Sequence, residues 1–353
     1  MSKLPLLFKQ INAFSKQHNL IPDNARIVIG LSGGPDSVFL AHFLASLKKL
    51  QSIDIIAAYL DHQWRQESAQ DAQFCADLCA KLGISFVSAT ISELNLHITN
   101  NGSKEAFARK ARRFFFEQVR NQYDATAIAL AHHAQDQQET FFIRLIRGAG
   151  TAGLAAIYPK AAIYIRPLLE TNKSDIVNYL TQHEIPFLTD PTNTSLNFLR
   201  NRIRHFVIPA LHATDQRFDH NFQRTVHNLH TTEQFLANIT ESIFSQITAT
   251  TQAHNKIMLN SILFQQQHPL IQHRIVMHLL IIEQVPFTPT QHFVQEIIRF
   301  IATPHTSIHA KQYSATTARF GSKSKSTKIH RMHPTWQLVK NGVFVFVEKY
   351  SNK

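Results

Sequence analysis

The chain of 353 residues is longer than one ordinary domain, so two or three compact units are expected. It carries 36 Lys and Arg against 24 Asp and Glu, which gives a formal net charge of +12 and a pI near 9.8. This charge favours a polyanion, and nucleic acid is favoured over a membrane because no apolar run reaches the ~18 residues of a spanning helix. The amino terminus also lacks the order of a signal peptide, so we expect a cytoplasmic protein with no membrane partner.

The two cysteines, Cys75 and Cys79, are too few for a disulfide framework and are consistent with a reducing compartment. They lie in an apolar helical pattern, which predicts two buried thiols rather than a redox or metal site. The 21 histidines show no zinc-ligand spacing, so we predict no structural zinc.

Strand and helix signals alternate through the first part of the chain. An amphipathic helix at 4–18 precedes an apolar, β-branched run at 26–31 that is typical of a fully buried strand. Further strands are predicted at 53–61, 84–90 and 126–132, with helices at 36–49, 66–82, 104–121 and 136–147. The alternation predicts an α/β fold with a doubly wound parallel sheet, whose ligands bind beyond the carboxyl ends of the strands.

The pattern changes after residue 215. Residues 216–301 show helical signals only, which predicts an all-helical domain. Residues 302–328 are rich in Ser, Thr, Lys and His and predict a basic linker. Asn341-Gly342 separates two strand-like runs and predicts a short C-terminal β hairpin. The expected division is a first domain at 1–215, a helical domain at 216–301, and a linker with a hairpin at 302–353.

A glycine-containing loop follows the first predicted strand and precedes a helix. Its residues are Ser32, Gly33, Gly34, Pro35, Asp36 and Ser37. The glycines permit positive φ and close approach, so backbone N–H groups and the positive end of the helix could face a phosphate. A carboxylate beside phosphates needs a cation, which makes Asp36 a candidate Mg²⁺ ligand. The alternative is a tight turn with an ordinary N-cap.

The loop resembles the SGGxDS signature of the PP-loop ATP pyrophosphatases, which split ATP into AMP and pyrophosphate while adenylating a substrate carbonyl. The resemblance implies that all six loop residues bind ATP. This signature alone does not choose among thiolation, amidation and lysidine formation.

Four further stretches occur in a fixed order up to Pro209. They begin with Leu60-Asp61-His62-Gln63-Trp64-Arg65, and continue with Glu105, Ala108, Arg109, Arg112 and Phe116, with Ala131-His132-His133-Ala134-Gln135-Asp136-Gln137-Gln138-Glu139-Thr140, and with Arg166-Pro167-Leu168-Leu169, Asp190-Pro191-Thr192-Asn193 and Arg200-Asn201-Arg202-Ile203-Arg204. Together they resemble the motifs of the tRNA(Ile)-lysidine synthetase family over residues 26–211. The sequence departs from the family pattern at Gln63, Trp64 and Gln135.

Three of these stretches carry candidate binding residues. Arg109, Arg112 and Arg113 share one helix and could meet phosphate or nucleotide, with a solvated basic face as the alternative. Asp136 and Glu139 share a helix face, where they could bind Mg²⁺ or the ammonium groups of lysine, with helix capping as the alternative.

Arg200 and Arg204 lie four residues apart. They could neutralise an α-phosphate or grip a tRNA backbone, with a salt-bridging surface helix as the alternative. Arg202 lies between them and is a candidate tRNA contact.

The resemblance implies a ligase that forms a C–N bond on tRNA(Ile) with a CAU anticodon. The C2 carbonyl oxygen of the wobble cytidine attacks the ATP α-phosphate, and free L-lysine then displaces AMP to give lysidine, which switches decoding from AUG to AUA. Asp36 and Asp136 would hold Mg²⁺, and Arg200 or Arg204 would stabilise the phosphate charge. His132 is the candidate base for the lysine amine, with His133 as the alternative.

Two rival functions and one question of assembly stay open at this point. A tRNA thiolase would need persulfide-carrying or cluster-binding cysteines, which two thiols in an apolar helix pattern do not favour. A non-catalytic tRNA-binding protein would predict an eroded phosphate loop, whereas all six loop residues fit the signature. The helical domain and the basic C-terminal part would grip tRNA, and a homodimer is left open.

Overall fold

The computed structural model describes residues 4–63, 68–94, 104–189, 196, 198–250, 256–286, 290–303 and 327–350. The chain forms two compact units, Met1–Thr231 and Thr232–Lys353. The boundaries at 215 and 301 stay predictions. Within the described residues, no helix is long and apolar enough to cross a bilayer.

The first unit contains a six-stranded sheet with helices on both faces. In chain order its elements are α1 (Leu6–Gln17), β1 (Arg26–Gly30), α2 (Pro35–Lys48), β2 (Asp54–Asp61), α3 (Ser68–Leu82), β3 (Ser85–Thr90), α4 (Lys104–Gln122), β4 (Ala127–Ala129), α5 (Ala134–Ile146), α6 (Thr151–Leu154), β5 (Lys160–Ala161), β6 (Tyr164–Ile165), α7 (Lys173–Gln182), α8 (Leu199–Arg202), a π-helical turn (Ile203–Val207) and α9 (Ile208–Thr214). The strand order is β3-β2-β1-β4-β6-β5, parallel except for the edge strand β5.

This sheet confirms the predicted doubly wound α/β fold. Neighbouring residues of β1 pack into two different hydrophobic cores, because successive side chains of a strand point to opposite faces of the sheet. Ile27 and Ile29 pack with Phe39 and Phe43 on one face, and Val28 packs with Phe115 on the other.

The strand order also locates the ligand crevice. The first strand, β1, pairs with β2 on one side and with β4 on the other, so the chain reverses its winding direction between β1 and β4. Open α/β sheets bind ligands beyond the carboxyl ends of such neighbouring strands. The loop 32–37 follows β1 and the stretch 131–136 follows β4, so both predicted motifs meet at this crevice.

The second unit combines helices with an antiparallel sheet. Its elements are the later part of α10 (Phe218–Ile247), β7 (Thr248–Thr250), β8 (Ile257–Asn260), α11 (Ser261–Gln265), α12 (Pro269–Ile282), α13 (Gln291–Ala302), β9 (Thr327–His333), β10 (Trp336–Asn341) and β11 (Phe344–Lys349). The sheet order is β7-β8-β11-β10-β9. The predicted hairpin is confirmed as β10 and β11, and Gly342 in its turn has φ of +60°.

Helices and strands of the second unit share one core. Ile275 and Ile297 from the helices pack with Leu338 and Val345 from the hairpin. Sequence analysis missed β7 and β8, and it treated the hairpin as a separate element. A lone two-stranded hairpin is marginally stable, so packing against helices supplies the apolar contacts that it needs.

Lys340 is a charged residue at the centre of this unit, with only 1% of its surface exposed. Its Nζ donates to the carbonyl oxygens of Ile301 at 2.6 Å and Thr303 at 2.8 Å, at the carboxyl end of α13. Burial, and then the charge of Lys328, lower its pKa to about 8 from the usual 10.5. Lys340 therefore ties the helix end to the sheet.

We expect Lys340→Met to lower the free energy of unfolding by about 1–3 kcal/mol, because two buried carbonyls lose their donor. Between pH 8 and 10.5 Lys340 binds more protons in the unfolded state than in the folded state, so this lysine makes a contribution to the free energy of unfolding that rises with pH. The variant lacks this rise. Urea unfolding on a Trp64→Phe background, with Trp336 as the reporter, measures both effects. Equal pH slopes in wild type and Lys340→Met would contradict the prediction, and Arg299→Met, at an exposed position of α13, is the control for removal of one cation.

Candidate functional site

The loop after β1 is held closed by the Ser37 hydroxyl. This hydroxyl donates to the Gly34 carbonyl at 3.0 Å and accepts from the Ser32 N–H at 3.1 Å. Gly34 is the extended N-cap of α2, and Pro35 occupies the first turn, where its missing N–H leaves no partner unmet. The loop therefore presents the amino end of a fourteen-residue helix, as expected for a phosphate site.

Gly33 is the loop position that requires glycine. Its φ is +77°, a conformation that side chains rarely adopt, and a Cβ there would lie 2.5 Å from Leu188 Cδ1. The Leu188 N–H also donates to the Gly33 carbonyl at 2.9 Å. The segment around residue 188 thus packs directly on the loop and fixes its shape.

Asp36 lies in the first turn of α2 and contacts the side chains of Lys173 and His133. Its Oδ1 accepts a short hydrogen bond from Lys173 Nζ, and its Oδ2 lies 3.7 Å from His133 Nε2. Sequence analysis did not identify Lys173 because it is distant in the chain and belongs to no motif. Gln135 Oε1 accepts from the Lys173 N–H at 2.8 Å, so the departure from the family pattern at Gln135 links α5 to the start of α7.

The amino end of α5 brings a second carboxylate next to Asp36. Asp136 Oδ2 accepts from the His133 N–H at 3.0 Å, which is the capping role that was the alternative for this residue. His133 Nε2 lies 3.5 Å from the same oxygen, so this ring lies between the two carboxylates. The side chain of His133 is only 7% exposed, and its Nδ1 has no hydrogen-bond partner within the part of the chain that the structure describes.

Four charged side chains form a cluster between α5 and the segment 199–207. Arg200 Nη2 donates to Asp136 Oδ1 at 2.6 Å and Arg200 Nε to Glu139 Oε2 at 2.5 Å, while Arg204 Nε donates to Glu139 Oε1 at 2.6 Å. The Glu139 side chain is fully buried, whereas about a third of each arginine side chain is exposed. Both oxygens of Glu139 thus accept from arginine, and this one carboxylate holds both guanidinium groups.

The charges in this cluster shift one another's pKa. Burial alone would raise the pKa of Asp136, but the neighbouring His133 and Arg200 lower it below its usual value. Burial would lower the pKa of Arg200, but the two carboxylates raise it further. Asp136 is therefore ionised and Arg200 protonated across the physiological range.

His132, the predicted base, has a different environment from His133. Its Nδ1 accepts from Arg166 Nε at 3.3 Å. Burial first, and then nearby positive charges including Arg166, lower its pKa to about 4 despite the opposite effect of Asp136. The ring is neutral at pH 7 and helps to hold Arg166, while its role as a base stays a prediction.

The candidate tRNA contacts lie on exposed surfaces. Arg109 and Arg112 are exposed on α4, and the Arg113 guanidinium lies 5.0 Å from the centre of the Tyr164 ring. Arg202 is exposed and donates to the Leu196 carbonyl at 3.2 Å. None of these contacts links them to the phosphate loop. Trp64, Arg65 and the stretch 190–193 lie outside the described residues, as does the side chain of Glu105.

The two carboxylates of the site, Asp36 and Asp136, fit the way in which enzymes usually bind Mg²⁺. Mg²⁺ takes one or two carboxylates together with waters and substrate phosphates, rather than a full protein cage. Asp36 and Asp136 supply hard oxygen donors on either side of His133 Nε2, within 3.7 Å of that atom. No group of three or more metal-binding side chains occurs within the described part of the chain.

The two cysteines are buried, as predicted, and Cys75 Sγ lies 3.4 Å from the position of a Cβ on Gly33. Burial raises the pKa of both thiols to about 12. We expect neither thiol to react with a disulfide reagent at pH 8 until denaturant is added, with Ser174→Cys as an exposed positive control. Rapid reaction of the native wild type would contradict this and would support a thiol role in catalysis.

The chain is similar in sequence to known proteins. Residues 6–211 match the PP-loop domain family. Over 300 residues the chain is 30% identical to the tRNA(Ile)-lysidine synthase of Bacillus cereus, covering 83% of this chain and 63% of that protein. Identity to the synthase of the same name from Geobacter sulfurreducens is 36% over 244 residues, 68% of this chain and 52% of the relative.

Solved structures are similar in fold, and one of them is a tRNA-modifying enzyme. The U34-tRNA thiolase from Methanococcus maripaludis superposes with a TM-score of 0.52 at 18% identity, over 63% of this chain and 80% of that one. The chain spans just under two thirds of the length of the Bacillus cereus synthase. The family match covers the sheet, the phosphate loop and the charged cluster, and the chain belongs to the PP-loop domain family.

Proposed function

We propose that this chain is a tRNA(Ile)-lysidine synthetase that joins free L-lysine to the wobble cytidine of a CAU anticodon, using ATP. The observation that carries the proposal is that His133 joins the phosphate loop to the charged cluster: its Nε2 lies 3.7 Å from Asp36 of the loop and 3.5 Å from Asp136, which pairs with Arg200. Identity to synthases of that name over most of the chain supports it. A reaction on tRNA also fits the net charge of +12 and a cytoplasmic location.

The phosphate loop would bind the ATP phosphates through backbone N–H groups at the start of α2. Asp36 and Asp136 would hold Mg²⁺, which would supply charge neutralisation at the phosphates. In the structure Lys173 Nζ pairs with Asp36, so a positive charge already lies beside the carboxylate that would bind Mg²⁺. The exposed part of Arg200 and of Arg204 would stabilise the negative charge that develops at the α-phosphate.

Asp136 is the better lysine-binding candidate of the two carboxylates first considered. Both oxygens of Glu139 accept from arginine, and its side chain is fully buried. Asp136 keeps 15% exposure and a lowered pKa. Its negative charge would hold Mg²⁺ during adenylation and, once Mg²⁺ leaves with pyrophosphate, would hold an ammonium group of lysine. Glu139 is then a positioning residue for the two arginines.

The test is incubation of the protein with labelled lysine, ATP, Mg²⁺ and a tRNA(Ile) transcript bearing CAU. A tRNA(Met) transcript with the same anticodon is the matched control. Label that enters only tRNA(Ile), with release of AMP and pyrophosphate, is the expected result. Pyrophosphate release that depends on a sulfur donor would replace the proposal by thiolation, and tight tRNA binding without turnover would replace it by a non-catalytic role.

A further inference from the structure

The segment 198–206 has an outer face that the proposed chemistry does not use. Its inner side carries Arg200, Arg204 and the buried Ile203, whereas Phe198 is 42% exposed and Phe206 is 59% exposed. Arg202 lies between the two phenylalanines and is also exposed. We call Phe198, Arg202 and Phe206 the outer stripe.

The π-helical turn aligns this stripe. Residues four apart on an α-helix drift sideways, because one turn takes 3.6 residues. A π-helical turn takes more than four residues, so between residues 203 and 207 positions four apart drift the other way. The two opposite drifts offset each other, which leaves Phe206 nearly in line with Phe198. Phe198, Arg202 and Phe206 therefore line one side of the segment, while Arg200 and Arg204 line another.

The composition of the segment favours an anionic partner. Residues 199–214 contain three arginines and two histidines but no acidic residue. Exposed aromatic rings separated by a guanidinium are the groups that bind unstacked bases and the phosphates between them. A surface that binds another protein would be expected to carry some acidic residues or a broader apolar patch, and this segment has neither an acidic residue nor more than two exposed phenylalanines.

The spacing of the rings also fits a single strand. Phe206 follows Phe198 by eight positions, which corresponds to at most about 12 Å at the α-helical rise. This exceeds the ~3.4 Å between stacked bases, so the two rings would contact separate, unstacked bases rather than one stacked pair. The same segment carries Arg200 and Arg204, which bond Asp136 and Glu139 of the proposed site, so bases bound on the outer stripe would lie close to the reacting nucleotide.

We propose that the outer stripe binds single-stranded RNA, with Phe198 and Phe206 each stacking on an unpaired base and Arg202 contacting the phosphate backbone. The proposal rests on the proposed function and deepens it, because it names the side chains that would bind the loop nucleotides around the modified base. The partner is an RNA loop, and a paired stem offers no free base faces to these rings.

The test measures binding of a fluorescein-labelled RNA stem-loop with a CAU loop by anisotropy at fixed salt. Phe198→Ala and Phe206→Ala are each expected to weaken binding by about 5- to 100-fold, which corresponds to the loss of one stacked base. Phe206→Trp should retain affinity, and Phe206→Leu, which keeps apolar bulk without a flat ring, should lose it. A fully paired RNA should bind all these proteins equally.

Leu50→Ala is the matched control, because Leu50 is 50% exposed and follows α2 at the opposite end of that helix. In the lysine-transfer assay, the stripe variants should raise the KM for tRNA and leave the KM for ATP unchanged. Unchanged RNA affinity of the alanine variants, while the wild type forms lysidine, would overturn the stripe alone. A wild type that neither binds this RNA nor transfers lysine would overturn the proposed function.

One further outcome would also overturn the proposal. If the alanine variants shift a dimer to monomer in sedimentation and keep full RNA affinity, the outer stripe is an interface between two copies of the chain. The variants are substituted at exposed positions, so their melting temperatures should match the wild type and the comparison stays valid.

Discussion

Replacement of Glu139 by Gln is expected to lower the rate of pyrophosphate release at least 100-fold and to destabilise the first unit. The substitution keeps the shape of the side chain but removes its charge, so Arg200 and Arg204 lose their shared carboxylate. Breaking a buried ion pair costs about 3–5 kcal/mol, and the cost is nearer to the lower limit here because each arginine is about a third exposed.

The activity loss has a separate cause from the loss of stability. Without the charge of Glu139 the two guanidinium groups repel each other and lose the carboxylate that positions them for the developing negative charge. The ATP dissociation constant should change little, because the phosphate loop does not contact Glu139 in the described structure. A fall in kcat without a matching change in ATP affinity distinguishes positioning from general unfolding.

Glu139→Asp and Glu184→Gln are the two controls. The shorter aspartate keeps the charge and can reach only one arginine, so we expect intermediate activity. Glu184 is exposed, and its substitution should leave rate and stability unchanged. Wild-type turnover by folded Glu139→Gln would show that the cluster does not take part in the reaction.

The sequence predicted the first unit closely because its signals are local. Each predicted strand and helix from 4 to 147 appears, since buried β-branched runs and amphipathic periods reflect the two faces of the sheet. The phosphate loop was predictable for the same reason: a strand, two glycines, a proline and a helix are adjacent in the chain.

Other features depend on contacts between distant residues. Lys173 reaches Asp36 across 137 positions, and Leu188 closes on Gly33 from a loop, so no local pattern marks either one. The role of Glu139 was also hidden. Its spacing from Asp136 predicted a shared helix face, but only the fold shows that two arginines from another helix occupy its oxygens.

The π-helical turn is a similar case, because hydrophobic periodicity does not separate it from an α-helix over five residues. Strands β5 and β6 are only two residues long each and carry no periodic signal. The second-unit core joins α12 and α13 to the hairpin, which composition had assigned to different parts of the chain.

Asp36→Asn is expected to lower the rate of pyrophosphate release about 1,000-fold or more and to raise the Mg²⁺ concentration that gives half of the maximal rate. An amide is neutral and cannot balance a divalent cation, and the proposed site then keeps only Asp136 as an anionic ligand. A factor of 1,000 corresponds to about 4 kcal/mol of lost transition-state stabilisation.

The fold should survive this substitution. The pair that Asp36 forms with Lys173 is partly exposed, with 27% of the Asp36 side chain and 35% of the Lys173 side chain accessible, and partly exposed pairs contribute about 1 kcal/mol or less. Loss of activity with an almost unchanged melting temperature would therefore show that Asp36 acts in the reaction and not in the stability of the fold. Asp175→Asn, at an exposed position in the first turn of α7, is the matched control for removal of one carboxylate.

Lys173→Met separates the two partners of Asp36. If Lys173 only neutralises Asp36 until a cation arrives, its removal should lower the Mg²⁺ requirement while kcat stays within a few-fold of the wild type. If Lys173 binds the ATP phosphates itself, the KM for ATP should rise and added Mg²⁺ should not restore it. An Asp36→Asn protein with wild-type pyrophosphate release and Mg²⁺ dependence would remove this carboxylate from the proposed site, because no other acidic side chain of the phosphate loop could replace it.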